Sequence, residues 1–426
     1  MTTMDRCVSF NAMKHVVVAG GTDGIGRAVA LERLAEGDAV LVIGRNPVKG
    51  KEFLDAAAAL GAEGRAHFVP TDLSSIGDTR GAIDAIRARF TTLDALVLCA
   101  RHYRSDRLVT AEGFEYTFAL FYLSRFVLSY ELIDLLNRAD NPVIVNVGGP
   151  GSGTSEIRWD DLAHERDYHG MRALAQGGQL NDLLGIEFAR RPASAKVRYV
   201  LLHPGVVNTA LSGDYDAEMA ARIETLRRTA QSIDTAIGPI LAVLDNPPGD
   251  ALTAIVQGEQ LDVHGPAFDT AAAARLYRET TRRLGRLQSA ALGVSEARLR
   301  QVLDSPVFAT VATIQPDGSP HQSVVWILRD GDDVLFAVGA GSRKERNLRR
   351  DARVSVLVSP PEQPYTYAAI HGTATLVEGG HELRDRLSLK YTGATYAESS
   401  PDAAATYGDI PMVTVRVTPE RIVGRL

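Results

Sequence analysis

Cysteine is nearly absent from this sequence, which contains two, Cys7 and Cys99, in 426 residues. Two cysteines cannot supply the disulfide framework of a small secreted protein, and Cys99, at the end of an apolar run, is expected to be a buried free thiol. The sequence also lacks an apolar run long enough to cross a bilayer, and residues 1–11 lack the basic start and apolar core of a signal peptide. These absences predict a cytoplasmic protein without a membrane partner.

An excess of positive charge is missing as well. The chain has 46 lysines and arginines against 52 aspartates and glutamates, a formal net charge of -6 and a pI near 6.0. A protein of this charge has no general attraction for nucleic acid, so we expect a small-molecule substrate and no nucleic-acid partner. The hydrophobic content of 45% is typical of a globular protein, and 426 residues predict two or three domains.

Short apolar runs alternate with helix-length segments, such as residues 116–136, in the first part of the chain. The runs are continuously apolar, which is typical of strands buried on both faces of a parallel sheet. The sequence therefore predicts an α/β Rossmann domain with a doubly wound parallel sheet over residues 1–286, followed by a linker over residues 287–298. The strand candidates are His15–Ala19, Ala39–Ile43, Ala66–Val69, Ala95–Cys99, Val143–Val147 and Val197–Leu202.

The pattern changes to short strands after Leu299. Asp317-Gly318 and Asp330-Gly331 are typical of hairpin turns between such strands. Several short strands with one or two helices predict a second, smaller β-barrel domain over residues 299–426. Its strand candidates are Val307–Thr313, Gln322–Leu328, Val334–Val338, Val354–Val358, Ala368–Val377 and Met412–Thr418.

A glycine-rich turn joins the first predicted strand to the first predicted helix. Such glycines permit a tight turn and a close approach of backbone to a pyrophosphate, which then faces the positive end of the helix. The second strand is followed by Arg45, and an arginine there suits the 2′-phosphate of NADP, whereas a carboxylate would suit NAD. We therefore predict NADP binding at this turn. Its residues are Gly20, Thr22, Asp23, Gly24, Ile25 and Gly26.

The stretch from Ala19 to Gly26 resembles the Thr-Gly-x-x-x-Gly-x-Gly fingerprint of short-chain dehydrogenases/reductases, with alanine in place of the threonine. The resemblance covers residues 13–285 and is closest to the retinol-dehydrogenase-like branch, as Asn146-Val-Gly-Gly and Trp159-Asp-Asp-Leu indicate. It implies an adenine-contacting pair and two loops beside the nicotinamide and the phosphates. The residues implied are Asp72, Leu73, Ala100, Pro204, Gly205 and Thr209.

The positions that carry this family's acid–base chemistry are substituted. Its serine, tyrosine and lysine correspond to Gly149, Leu174 and Gly178, and its structural asparagine corresponds to Phe121. The lysine, one helical turn from the tyrosine, lowers the phenol pKa so that a proton can be exchanged near neutral pH, and neither leucine nor glycine can replace this pair. We therefore expect ordinary carbonyl reduction to be lost. Arg101 replaces a glycine beside the cofactor, and it either blocks the nicotinamide pocket, offers a cation to an acidic substrate, or faces solvent.

The second domain carries two motifs of its own. The runs Ala312-Thr-Ile-Gln-Pro-Asp-Gly-Ser-Pro and Lys344-Glu-Arg-Asn-Leu-Arg-Arg-Asp-Ala-Arg-Val resemble the pyridoxamine-phosphate-oxidase-like split β-barrel oxidoreductases. The resemblance is closest to the branch that uses coenzyme F420, with FMN as the alternative. It implies a homodimer that holds the cofactor in a groove between protomers.

This second resemblance also implies the residues of a cofactor site. A cationic cluster that opens a short helix offers fixed charges and free backbone N–H groups to a phosphate, although a mixed charge run can also be a solvated helix face. The phosphate ligand implied is Lys344, supported by Ser342, Arg343 and Asn347, and the ring would lie along Ser323, Val324, Val325 and Trp326. The candidates for a proton donor, each of which also suits a packing or surface role, are His321, Tyr365, Tyr367 and His371.

Three functional hypotheses remain open at this point. In the first, the barrel uses reduced F420 or FMN to reduce a conjugated small molecule, such as a secondary metabolite, while the Rossmann domain binds NADP or substrate. In the second, the altered Rossmann site catalyses a cyclisation, isomerisation or dehydration. In the third, the chain binds nucleotides without catalysis. The cationic cluster around Lys344 favours the first.

Overall fold

The computed structural model describes residues 13–207, 212–291, 295–360, 362–363, 365–407 and 410–426. Thr209, predicted as a cofactor contact, lies outside these residues. The chain divides into two compact units, Met1–Leu276 and Tyr277–Leu426, and a helix over Thr270–Ala291 begins in the first and ends in the second. Within the described residues, no helix combines the length and the apolar character needed to cross a membrane.

The first unit is an α/β fold, and its described residues form ten strands. They are β1 (His15–Ala19), β2 (Ala39–Gly44), β3 (Ala66–Pro70), β4 (Ala95–Leu98), β5 (Tyr103–Arg104), β6 (Val143–Val147), β7 (Arg198–His203), β8 (Gly213–Asp214), β9 (Leu252–Val256) and β10 (Glu259–Leu261). Its helices are α1 (Gly24–Ala35), α2 (Pro47–Ala59), α3 (Ile76–Arg89), α4 (Tyr116–Phe118), α5 (Ser124–Glu131), α6 (Ile133–Leu136), α7 (Gly170–Arg190), α8 (Ala217–Thr229), α9 (Ile233–Asp245) and α10 (Thr270–Ala291).

Eight of these strands form one sheet in the order β10-β9-β7-β6-β4-β1-β2-β3. All neighbours are parallel except β10, which runs antiparallel to β9 at the edge. Val17 and Leu96 are fully buried in the central strands, as continuous apolar runs require when helices cover both faces. The predicted doubly wound sheet is confirmed, and β9 and β10 extend it beyond the six predicted strands.

The helix predicted over residues 116–136 is interrupted. A π-helical turn over Ala119–Leu123 separates α4 from α5, and α6 follows as a separate turn. The Asn181 amide on α7 donates to the carbonyl of Phe121 at 2.8 Å. A side chain from another helix therefore satisfies a carbonyl at this irregular turn, which the periodicity of 116–136 alone could not indicate.

The second unit is a seven-stranded antiparallel sheet with helices. Its strands are β11 (Ala309–Ile314), β12 (Pro320–Val325), β13 (Leu328–Asp330), β14 (Asp333–Gly339), β15 (Arg353–Val358), β16 (Tyr367–Glu378) and β17 (Met412–Arg425), in the order β12-β11-β15-β16-β17-β14-β13. Its helices are α11 (Glu296–Asp304), α12 (Arg343–Arg350), α13 (His381–Thr392), α14 (Tyr396–Ser399) and α15 (Pro401–Tyr407). The predicted β-rich second domain is confirmed.

One predicted strand, Gln322–Leu328, is two strands in the structure. Between β12 and β13 the Ile327 N–H donates to the Tyr391 hydroxyl at 3.1 Å, and the Ile327 carbonyl accepts from Lys390 at 2.8 Å. Both backbone groups of Ile327 are thus bonded to α13 side chains rather than to a neighbouring strand. This tertiary contact breaks the strand at a position where the sequence is continuously apolar.

Candidate functional site

The C-terminal ends of the parallel strands meet at one edge of the first unit and border a cleft of about 550 Å³. This edge is where open α/β sheets bind ligands, because the loops that follow the strands diverge there. Twelve residues predicted from the sequence line this cleft: Gly20, Thr22, Asp23, Gly24, Ile25, Gly26, Arg45, Asp72, Leu73, Ala100, Pro204 and Gly205. The sequence motifs therefore converge in space.

The glycine-rich turn brings backbone segments closer together than side chains would allow. Gly20 has φ +79°, and a Cβ built there would lie 2.7 Å from the backbone of Ala100. A Cβ at Gly26 would lie 2.3 Å from the Gly20 carbonyl oxygen. Asp23 caps α1 by accepting from the Gly24 N–H at 2.8 Å. Glycine is thus required at positions 20 and 26 to seat α1 against the cleft.

Arg45 marks one end of the cleft, which we call the Arg45 end. Its guanidinium donates to the Tyr116 hydroxyl at 2.9 Å and forms no ion pair within the described part of the chain. Nearby, Lys49 is paired with Asp23, and the Asp72 carboxylate accepts from the backbone and hydroxyl of Ser74 at 2.9 and 2.7 Å. Arg45 therefore keeps a charge available to an anion, as the 2′-phosphate prediction requires.

We call the part of the cleft lined by Arg101, Leu174 and His203 the Arg101 end. The three positions at which the sequence predicted a loss of the family's acid–base side chains are Gly149, Leu174 and Gly178. Leu174 lines the cleft, whereas Gly178 on α7 has no atom within 4 Å of a Cβ built on it. A Cβ at Gly149 would lie 3.9 Å from the His203 ring. These three positions thus present no hydroxyl, phenol or ammonium, although a larger side chain at position 178 would fit.

Tyr168 does not take over the missing phenol. Its hydroxyl donates to the Arg104 carbonyl at 3.1 Å, and it is not among the residues that line the cleft. Burial raises the pKa of Tyr168 to about 12. Its hydroxyl is thus used in a contact within the protein.

Beneath the Arg101 end lies a buried arginine that the sequence analysis did not identify. Arg125 on α5 is 1% exposed, and it donates to the carbonyls of Val147 at 2.9 Å and Ala100 at 3.0 Å as well as to the Asn146 side chain. Burial lowers the pKa of Arg125 to about 10, so it stays charged at neutral pH. Its guanidinium fixes the ends of β4 and β6. An arginine within an amphipathic helix gives no sequence signal for this role.

A second feature missed by the sequence analysis spans the loops at the Arg101 end. Strands β5 and β8 pair in parallel, and we call residues 102–105 and 212–216 the strap. Its contacts include His102 Nδ1 to Ser212 Oγ at 2.6 Å and stacking of Tyr103 on Tyr215 with ring centroids 5.3 Å apart. The Arg104–Asp214 ion pair adds to them. The strap ties the loop after β7 to the loop after β4.

In the second unit, the predicted cationic cluster lies at the start of α12. Ser342 caps this helix by accepting from the Glu345 N–H at 3.3 Å, and Arg343 is exposed. Lys344 is partly buried, and burial lowers its pKa. Among the described residues it has no hydrogen bond or ion pair. Asn347 is buried and donates to Thr313 at 3.0 Å, which anchors α12 on β11.

The predicted residues on β12 divide between its two faces. His321, Ser323 and Val325 point inward, and Val324 is 65% exposed on the other face. The Nδ1 atom of His321 and the hydroxyl of Ser323 are buried without a hydrogen-bond partner. Trp326 lies beyond the strand and stacks on Tyr391, with centroids 5.0 Å apart.

The other candidate proton donors lie elsewhere in the second unit. Tyr367 and His371 are exposed on the outward face of β16, and Tyr365 is 89% exposed in the preceding loop. His321 faces inward, so the structure does not bring these four candidates together. Their separation follows from the alternation of side chains along strands.

Comparison with known proteins assigns both units. Residues 14–159 match the short chain dehydrogenase family, and residues 295–425 match the pyridoxamine 5′-phosphate oxidase family. The chain joins a short-chain dehydrogenase domain to a pyridoxamine 5′-phosphate oxidase-like domain. Both resemblances predicted from the sequence are thereby confirmed.

Relatives of the short-chain dehydrogenase domain include retinol dehydrogenases. Retinol dehydrogenase 14 of Mus musculus is 28% identical over 49% of this chain and 66% of its own length. Retinol dehydrogenase 13 of Homo sapiens is 29% identical over 60% of this chain and 76% of its own length. The matched part of this chain covers 66% of the length of mouse retinol dehydrogenase 14 and 60% of the length of human polyprenol dehydrogenase.

A solved structure matches the oxidase-like domain. A protein named F420 Reductase is 25% identical, and the match covers 29% of this chain and 94% of that chain with a TM-score of 0.26. A short chain dehydrogenase of Burkholderia cenocepacia in complex with NADP is 21% identical to this chain. That match covers 57% of this chain and 97% of the other with a TM-score of 0.45.

Proposed function

We propose that this protein is an oxidoreductase whose oxidase-like domain holds reduced coenzyme F420, or alternatively FMN, and reduces a conjugated small molecule. The observation that carries the proposal is Lys344, a partly buried cation without an anionic partner in the described residues. A buried ammonium is costly unless it meets an anion, and a phosphate group on a cofactor would supply one.

The polar groups near α12 fit an anionic cofactor. Asn347 anchors α12 to Thr313, and Thr313 is paired in register with His321 on β12. His321 and Ser323 follow each other on the inward face of β12, which pairs with β11, the strand on which α12 is anchored. Their buried, unpartnered polar atoms could bond to a ligand.

The chemistry follows from the cofactor class. A hydride and a proton from the reduced deazaflavin would be added across a C=C or C=N bond, which leaves the substrate reduced and the coenzyme oxidised. The protein's share is to hold the phosphate with Lys344 and to orient the ring along β12. F420 is favoured over FMN by the sequence resemblance of the Lys344 run.

The proposal includes a homodimer formed through the oxidase-like domain. Val324 and Leu357 are 65% and 40% exposed, and both neighbour Thr310 in register, so they lie on the same outward face. Tyr367 on the same sheet is 40% exposed. Exposed apolar side chains on a sheet suit a self-association surface.

Sedimentation equilibrium of the full chain tests whether it forms this homodimer. A monomer at micromolar concentration would contradict the proposal.

For the short-chain dehydrogenase domain we propose NADP binding without the family's usual reduction. The glycine-rich turn and Arg45 supply the binding groups, while Gly149, Leu174 and Gly178 offer no proton donor. The alternative functions are a non-redox reaction in the altered cleft and binding without catalysis. The tyrosines and histidines that line the cleft favour the non-redox reaction, because they are groups that can exchange protons.

The cofactor assignment can be tested directly by titration. The purified full chain is titrated with F420 and separately with FMN, and quenching of the ligand's own fluorescence is followed. We expect a dissociation constant in the micromolar range or below for at least one of them. Absence of binding by both ligands at micromolar protein would overturn the proposal.

We expect the short-chain dehydrogenase domain to bind NADPH and not to oxidise it. Titration should give a complex that is weakened about 10- to 100-fold by Arg45→Ala, because a charged contact with the 2′-phosphate is lost, whereas NADH affinity should barely change. Absorbance at the NADPH band should stay constant with a panel of aldehydes and ketones.

The matched control for this expectation is Arg138→Ala, a surface arginine that donates to the Thr91 carbonyl at 3.0 Å. It should leave both dinucleotide affinities unchanged. Carbonyl-dependent NADPH oxidation by the wild-type chain would contradict the loss of standard catalysis, and equal affinity for NADH and NADPH would contradict the role of Arg45.

A further inference from the structure

The Arg101 end of the cleft has an apolar wall that the proposed NADP binding does not explain. On α8, Met219, Ile223 and Leu226 follow each other at helical spacing and line the cleft. Leu226 is 42% exposed. An apolar helix face directed into a cleft remains hydrated unless a ligand covers it, and this favours an apolar ligand.

The α7 side of the cleft is apolar as well. Met171 and Leu174 line it from α7, and Val206 lines it from the loop after β7. Met171 and Val206 are 40% and 42% exposed. The replacement of the family tyrosine by Leu174 therefore continues an apolar surface instead of interrupting it. Together these six side chains form what we call the apolar trough.

A cation lies at the same end of the cleft. Arg101 follows β4, lines the cleft, and is accessible to solvent there. It forms no hydrogen bond or ion pair within the part of the chain that the structure describes. Its guanidinium is close enough to Tyr215 and His203 to interact with both electrostatically.

Among the described residues, Arg101 has no anionic partner, because the groups beside it are neutral or already paired. Burial, and then the charge of Arg101, lowers the pKa of His203, so this imidazole is neutral at neutral pH. Burial raises the pKa of Tyr215, against the opposing effect of Arg101, so the phenol is neutral too. The carboxylate of Asp214 is bound to Arg104 and adjacent to His102. Arg101 therefore has a neutral hydroxyl beside it and, in the part of the chain that the structure describes, no counter-ion.

We propose that the Arg101 end of the cleft binds an apolar carboxylate, whose carboxyl group is held by Arg101 beside Tyr215 and whose hydrocarbon body lies in the apolar trough. The guanidinium offers paired N–H donors in the geometry that a carboxylate accepts. This site is independent of the cofactor in the oxidase-like domain. It selects a substrate or effector by charge in a cleft where the family's proton donors are absent.

The proposal is tested with three probes of equal chain length: octanoate, octan-1-ol and octylamine. Binding to the full chain is measured by titration calorimetry at pH 7 with the oxidase-like domain saturated with its cofactor and again without it. We expect octanoate to bind about 10- to 100-fold more tightly than the alcohol, as a charge-assisted bidentate pair allows. Butanoate should bind at least about 10-fold more weakly than octanoate, because four methylenes leave the trough.

Two matched variants locate the carboxylate. Arg101→Gln keeps a polar, uncharged side chain that is shorter than arginine and should bring octanoate to the affinity of octanol. Arg222→Gln removes another cleft-lining cation, on α8, and should leave the preference for octanoate intact. Because Arg101 is exposed, its variant is expected to fold. An unchanged urea unfolding curve, followed by the fluorescence of Trp159 in a Trp326→Phe background, checks this.

Each outcome decides the proposal. Equal binding of octanoate and octan-1-ol by the wild-type chain overturns it. The proposal also fails if Arg222→Gln loses the preference for octanoate over octan-1-ol while Arg101→Gln retains it. Tighter binding of octylamine overturns it as well. Failure of F420 and FMN to bind in the separate titration would refute the proposed function of the oxidase-like domain and leave this site standing.

Discussion

Lys344→Gln should weaken binding of F420 or FMN by about 10- to 100-fold, the range expected when one charge-assisted contact with a phosphate is removed. Lys344 is partly buried at the start of α12 and has no partner in the described residues. Glutamine keeps a polar side chain, slightly shorter than that of lysine, and removes its charge. The measurement is the dissociation constant from fluorescence titration of the full chain.

The matched control on the same helix is Arg349→Gln. Arg349 is paired with Glu345 and Glu378, so its charge is already used within the protein. This variant should bind the cofactor as the wild type does. A larger loss of affinity in Arg349→Gln than in Lys344→Gln would move the phosphate site away from Lys344.

The pH dependence provides a second readout of the same contact. Burial lowers the pKa of Lys344 below the ordinary lysine value of about 10.4. A bound phosphate favours the protonated ammonium, so affinity is full below the free-protein pKa and falls as pH rises through it. The wild-type affinity should therefore begin to decline at a lower pH than an ordinary lysine would give, whereas Lys344→Gln should show no decline from this group.

Arg125→Met should lower the free energy of unfolding of the first unit by about 3 kcal/mol, because it leaves buried acceptors without a donor. Methionine fills much of the volume but cannot bond to the carbonyls of Ala100 and Val147. The two tryptophans lie in different units, so in a Trp326→Phe background the fluorescence of Trp159 reports the first unit alone. Urea titration gives the free energy.

Two further variants frame this result. Arg138→Met removes an exposed arginine with one backbone hydrogen bond and should cost less than about 1 kcal/mol. Arg125→Lys keeps the charge but cannot make all the bonds, so an intermediate loss is expected. A loss below about 1 kcal/mol in Arg125→Met would show that the buried guanidinium does not hold β4 and β6 together.

The parts of the fold that could be predicted are those set by local pattern. Runs such as Val16–Val18 are apolar on both faces, and only a strand covered on both sides satisfies them. The glycine turn at 20–26 was recognisable because backbone sterics demand glycine there. In both cases the signal lies in a few consecutive residues of the sequence.

The parts that could not be predicted depend on partners distant in sequence. Arg125 is bonded to groups 21 to 25 residues away, and the break at Ile327 depends on Lys390 and Tyr391. The strap joins residues about 110 positions apart, as in His102 with Ser212. By contrast, one correction was predictable from the sequence. Successive side chains on a strand point to opposite faces, so Ser323 and Val324 cannot both face one ligand.

The strap has a consequence for the thermodynamics of binding at the Arg101 end. Ordering a backbone segment costs about 1 to 2 kcal/mol per residue, and residues 102–105 and 212–216 are already held by β5–β8 pairing and by the Tyr103–Tyr215 stack. A ligand that enters the cleft does not have to order these segments. The entropy cost of ordering these two segments has already been met during folding. The binding entropy of such a ligand should therefore resemble that for a rigid cavity.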